Sequence, residues 1–162
     1  MVRPSSPNEP RNQRIIDMDF NKFDSVSAAE SGADLHLKHP ATMEPLYGDD
    51  GSPCIVTLLG GEASAVRAAL RDMQKKRAAQ EDDDKDERTL EDIHELLVEG
   101  LIPRVVGFKN VFRGSKPATK KDADWFFNLN RLNGQEGEES FAEQASKFSS
   151  SREAYLGNGS LN

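Results

Sequence analysis

Cys54-Ile-Val-Thr-Leu-Leu-Gly-Gly61 and, from Ser64, Ser64-Ala-Val-Arg-Ala-Ala-Leu-Arg-Asp-Met73 bracket the point where the periodicity of this chain changes. The first run is apolar, of strand length, and stopped by two glycines. In the second, Val66, Ala69, Leu70 and Met73 stand at i, i+3, i+4 and i+7, one face of a helix that runs to about Gln80. Upstream, Asp34-Leu-His-Leu-Lys-His39 alternates apolar and polar. Pro40 to Tyr47 turns the chain, and Gly48-Asp-Asp-Gly-Ser-Pro53 turns it again. An antiparallel sheet of two or three strands is therefore expected within residues 33–60, packed on the helix from Ser64.

Moving outward, Phe20, Phe23 and Val26 have the spacing of a short helical turn that anchors on the sheet and ends at Gly32. Met1 to Asp17, rich in Pro, Ser, Asn and Arg, offers too little apolar surface to offset its ordering entropy and reads as a flexible tail. Beyond the first helix, Glu81-Asp-Asp-Asp-Lys-Asp-Glu87 carries six acids in seven residues, which disfavours compact packing and reads as an acidic linker near 81–88. Thr89 caps the next helix, with Glu91 and Asp92 in its first turn and an expected apolar edge of Leu90, Ile93, Leu97 and Leu101, widened by Leu96. Pro103 ends it and leaves Val105-Val106-Gly107-Phe108 as a buried bend or a short extended piece. Arg113-Gly-Ser-Lys-Pro117 reads as loop. Thr119 opens a third helix up to Asn133-Gly134, and Ser140-Phe-Ala-Glu143 has the form of a capping box for a fourth that runs through Tyr155 to Gly157. The fold class expected is α+β, a small N-terminal antiparallel sheet followed by a helical C-terminal half. One domain spans residues 18–158, and 159–162 fray.

The formal net charge of -7 opposes nucleic acid or an anionic membrane as the main partner. A single cysteine, Cys54, rules out an intramolecular disulfide and suits a reducing compartment. No apolar run approaches the roughly 20 residues of a membrane span, and no apolar signal-peptide region is expected at the N-terminus.

Signals of chemistry are sparse. His36 and His39 fall on opposite faces of a strand, so no metal site is expected. Gly60-Gly61 precedes a helix but lacks the Lys and Ser or Thr of a phosphate loop, and a strand-to-helix turn explains it. Cys54 has no basic neighbour to hold a thiolate. No paired catalytic groups stand out, so no enzyme and no cofactor is expected. Two surfaces remain as partner sites. Arg67, Arg71 and Lys75, four apart, form a basic stripe that reads as an ordinary solvated face balanced by the acidic linker or, as a partner site, as a docking surface for an acidic partner or RNA. Trp125, Phe126, Phe127, Phe141, Phe148 and Tyr155 exceed what the seam of two short helices absorbs; core packing explains most of them, and a subset is expected to form an exposed groove for a partner helix.

Leu46-Tyr47, the Gly/Asp turn, Ile55-Val-Thr-Leu-Leu-Gly60, Ser64-Ala-Val-Arg67 and the long basic helix resemble the N-terminal half of tail assembly chaperones of long-tailed (siphovirus-like) bacteriophages. Downstream, the run from Leu96-Leu97 to Val105-Val106-Gly107-Phe108-Lys-Asn110, then Thr119 to Asn130, Phe141-Ala-Glu-Gln144 and Arg152-Glu-Ala-Tyr155-Leu-Gly-Asn158 are similar to that family's helical C-terminal half. The resemblance implies a non-enzymatic factor that binds the tape measure protein and recruits tail tube subunits in the host cytoplasm, and that is absent from the mature virion. Self-association is left open. The alternatives are a structural virion component, such as a tail completion or connector protein, and a small nucleic-acid-binding regulator using the basic stripe.

Overall fold

The computed structural model describes residues 18–80 and 88–157. After a 3-10 turn at Phe20–Phe23, the elements are α1 (Ser25–Ser31), β1 (Ala33–His36), β2 (Ile55–Leu58), α2 (Ser64–Gln80) and α3 (Leu90–Leu101). A second 3-10 turn (Ile102–Arg104) leads into β3 (Val105–Lys109) and the short strands β4 (Phe112–Arg113) and β5 (Lys116–Pro117). A third (Lys120–Asp122) leads into α4 (Ala123–Phe127), α5 (Phe141–Ser149) and α6 (Arg152–Leu156). The expected tail at 1–17, the acidic run at 81–87 and the frayed end at 159–162 lie outside the described residues.

The change of period at Gly60-Gly61 is the change from strand to helix that was expected. The sheet, however, is not confined to the N-terminal half. Its order is β1-β2-β3, all antiparallel, so the central strand is flanked by one neighbour from before it and one from after α3. Leu35 lies opposite Val56 and Val56 opposite Phe108, which puts these side chains on one face. A register shift between Thr57 and Leu58 brings Leu58 opposite Val105. Two strands alone would bury little; β3 adds Val105, which is fully buried, and Phe108. The core joins this face to Val98 and Leu101 of α3, Phe126 and Phe127 of α4, and Ala142 and Ala145 of α5.

Four helical expectations change on contact with the rest of the chain. Phe20, Phe23 and Val26 do not anchor on the sheet: they are 73%, 47% and 50% exposed. The inward residues of α1 are Ser25 and Ala29, because the helix approaches the turn at Gly60 so closely that only small groups fit. Leu90 and Ile93 of α3 face solvent, and the buried edge is His94, Val98 and Leu101. His94 Nε2 meets Asn128 Oδ1 at 2.9 Å, which helps rotate that face inward. The third helix is short. Asn128 folds its side-chain amide back to donate to the Asp124 carbonyl at 2.8 Å, occupying the acceptor that a continuing helix would use. The fourth is broken after Ser149, whose carbonyl accepts from the Gly61 N–H at 3.2 Å and from Arg104 Nη1 at 3.3 Å. Ser151 then caps α6 by accepting from the Ala154 N–H. The caps at Thr89, Thr119 and Ser140 stand where the sequence placed them, each a reciprocal capping box.

Gly60 supplies a direct test of this packing. A Cβ there would lie 2.7 Å from Ala29 Cβ and 3.2 Å from Tyr155 Cζ, while its N–H donates to the Ala29 carbonyl at 3.1 Å. Gly60→Ala is expected to destabilise by about 1–3 kcal/mol through overpacking, and Ala29→Gly in the same chain to recover part of that. Denaturant midpoints of the single and double variants measure it. Additive losses would mean that the two residues do not touch.

Candidate partner-binding surfaces

The aromatic residues of the C-terminal third divide into core and margin. Phe126 is 2% exposed, stacks on Phe141 at 4.7 Å and meets Phe108 edge-on at 5.0 Å. It offers no surface to a partner in this fold, which removes it from the expected groove, and Phe127 is buried as well. Phe141 and Phe148 are half-buried against the core, and Phe148 leans on Tyr155 at 5.8 Å. Tyr155 is fastened by its hydroxyl, which donates to the Leu58 carbonyl at 2.9 Å, and burial raises its pKa well above that of a free phenol. These rings are scattered around the core; they do not line up as one groove.

Trp125 is half-buried, and its outer face is covered by the guanidinium of Arg113, 5.2 Å from the ring centre. Arg113 is held in turn by Asp122, 3.0 Å away. The segment expected as loop, Arg113 to Pro117, is part of a tight hairpin, with Gly114 at φ 66° in the turn. Cross-strand partners share a face, so Arg113 and Lys116 project together and Phe112 and Pro117 project together on the other side. With Arg113 over Trp125, the second pair points away from the domain, and Phe112 is 55% exposed. Phe112 was not singled out in the sequence because a lone Phe beside a Gly-Ser turn carries no periodic signal.

Arg67, Arg71 and Lys75 are all exposed on α2. The helix buries Val66 fully, with Ala69, Leu70 and Met73 half-buried; from Gln74 to Ala79 every residue is exposed. Its second half therefore projects from the domain with its cations in solvent. No family model, curated protein or solved structure matches this chain.

A polar cleft of about 350 Å³ lies between α1 and the α5–α6 corner, lined by Ser25, Gly60, Glu62, Ser149, Ser150 and Tyr155 among others. Its rim is tied by Arg152 to Glu62 at 3.1 Å, and beneath it Arg104 donates to Ser149 Oγ at 2.9 Å. Burial lowers the pKa of Arg104, and its Nε has no hydrogen-bond partner among the described residues. The cleft is a joint between helices, with its charges already engaged. Cys54 is half-buried, and desolvation with a smaller contribution from Asp50 raises its thiol pKa, the reverse of what activates a nucleophile. Among the described residues no three His, Cys, Asp or Glu side chains come together to hold a metal ion, and no helix is long and apolar enough to cross a membrane.

Several carboxyls sit below their ordinary range. The Ser27 N–H lowers Asp24, the Ser52 N–H lowers Asp50, the Thr119 N–H and then Arg113 lower Asp122, and Arg152 lowers Glu62. A carboxyl whose folded pKa lies below its unfolded value stabilises the fold above the unfolded pKa and ceases to do so as pH falls through the folded one. The denaturation midpoint is therefore expected to hold near neutral pH and to drop below about pH 4, with a shallower drop in Asp122→Asn. A midpoint that is flat down to about pH 3 would contradict the assignment.

Proposed function

We propose that this chain is a tail assembly chaperone of a long-tailed bacteriophage, a non-enzymatic factor that binds the tape measure protein and recruits tail tube subunits. It acts in the host cytoplasm and leaves before the virion is complete. The observation that carries the reading is the ordered similarity of segments from Leu46 to Asn158 to that family, spread over sheet, basic helix and capped C-terminal helices. The outward pair Phe112 and Pro117, on a hairpin whose opposite face carries Arg113 over Trp125, supports it as a small exposed apolar ledge. Such a ledge suits a contact that must later release.

Co-expression with the tape measure protein tests the reading. The parent chain is expected to keep that protein soluble. Phe112→Asp, at a position more than half exposed, is expected to shift the melting midpoint little and to lose most of the solubilising effect. Trp125→Ala is expected to lower stability as well, because the ring also packs against the core. Mass spectrometry of purified particles checks the transient role: the chain is expected to be absent, and a fixed copy number per particle would favour the structural virion component instead.

A further inference from the structure

We propose that this chain associates with a second copy of itself by laying the basic stripe of α2 on the acidic stripe of α3. The inference stands apart from the tail-assembly reading and rests on charge placement alone. Helix α2 carries five basic residues against one acid, in a chain whose net charge is -7. Helix α3 carries Glu91, Asp92, Glu95 and Glu99 and no base. At 100° per residue, Arg71 and Lys75 lie opposite the buried Val66, so they project from the domain. On α3, Glu95 and Glu99 lie beside Leu96, which is turned away from the buried edge of His94, Val98 and Leu101.

The two stripes match in spacing. Both pairs are separated by four residues, about 6 Å along a helix, so two ion pairs form in one register. None of the four charges has an ion-pair partner among the described residues, whereas the outer members of the same stripes are engaged at home. Glu91 is bound by Arg131 at 2.6 Å, and Arg67 lies within the field of Glu62. Sterics allow close approach. Beside the basic stripe α2 exposes the small Ala65, Ala68, Ala78 and Ala79 along with the polar Asp72 and Gln74, and on α3 an added Cβ at Gly100 would meet nothing within 4 Å. Because the two stripes lie on different helices, the contact is either made once per neighbour, repeating from copy to copy or closing into a ring, or made twice in a two-fold pair.

Charge exchange tests it. The full chain is followed by sedimentation velocity at about 50 mM and about 500 mM salt, where screening differs strongly. Association is expected at low salt and dissociation at high salt. Arg71→Glu with Lys75→Glu, and separately Glu95→Lys with Glu99→Lys, are each expected to weaken association by about tenfold or more. An equimolar mixture of the two double variants is expected to restore it, with mixed oligomers in native mass spectrometry. Loss of association in the Glu95→Lys, Glu99→Lys variant alone separates this contact from pairing of the stripe with the acids at 81–87, since that variant keeps both the stripe and those acids. A chain that is monomeric at both salts, or variants that weaken association without restoration in the mixture, overturns the proposal. Should a reversed variant melt early, Arg71→Gln with Lys75→Gln decides the point: association as strong as the parent's overturns it.

Discussion

Phe126→Ala is expected to lower stability by about 3–5 kcal/mol, among the largest effects available to a single substitution in this chain. The ring is 2% exposed and is contacted from three directions: Phe108 of β3 edge-on at 5.0 Å, Phe127 of α4 at 5.2 Å and Phe141 of α5 stacked at 4.7 Å. Removing it takes away a group that touches all three. The cavity cannot close cheaply, because Phe108 is held by the sheet register opposite Val56, and Phe141 begins a helix fastened by the Ser140 capping box and by Asn130, which accepts the Phe141 N–H at 2.9 Å. Phe126→Leu, which keeps most of the volume, is expected to cost about 1–1.5 kcal/mol. Urea unfolding of both variants gives the comparison, and a loss below about 1 kcal/mol for the alanine variant would show that the aromatic cluster is not the centre of the core.

A second large effect is expected at Gln144, where a single side chain stands in for a strand. Its Oε1 accepts from the Lys38 N–H at 2.9 Å, and its Nε2 donates to the Lys38 carbonyl at 2.9 Å and to the Glu139 carbonyl at 3.1 Å. The residue is 5% exposed, so water does not readily replace it. Gln144→Ala leaves a donor and two acceptors without this partner and is expected to cost about 2–4 kcal/mol, each orphaned group contributing on the order of 1–3 kcal/mol less what solvent recovers. Gln144→Glu is expected to be worse near neutral pH, since the new carboxylate faces two carbonyl oxygens and has no proton to give. Its pKa in the fold is raised by that contact, so the variant should regain stability as pH falls through this raised value, opposite in sign to the parent's own carboxyls. Amide exchange at Lys38 reads the same event locally. Unchanged protection there in the alanine variant would show that the clip is dispensable.

How much was legible beforehand follows from what each signal depends on. The strand Ile55–Leu58, the helix Ser64–Gln80 and the caps at Thr89, Thr119 and Ser140 rest on neighbours within a few residues, and each stands where it was read. The candidate surfaces were legible only in part. The basic stripe on α2 is solvent-exposed, as a stripe opposite Val66 must be. The aromatic set was less well read: helical spacing cannot say whether Phe126 and Trp125, one residue apart, meet core or solvent, and Phe126 proved buried while Trp125 sits at the margin under Arg113. Phe112 gave no periodic signal, and its exposure follows from the hairpin pairing that turns it away from the domain.

What the sequence determined by itself is local: period, caps, the glycine stop at residues 60 and 61, and the absence of any long apolar run. What only the tertiary structure decided is every choice among faces and partners. Val105–Lys109 became a strand because β2 had an open edge; α3 turned His94 inward where Asn128 receives it; and the helix from Ser140 broke because the Ser149 carbonyl bonds Gly61 and Arg104 from far along the chain. Hydrogen-bond acceptors and apolar faces do not record in the sequence which distant group will reach them first. That competition is settled only when the chain is packed.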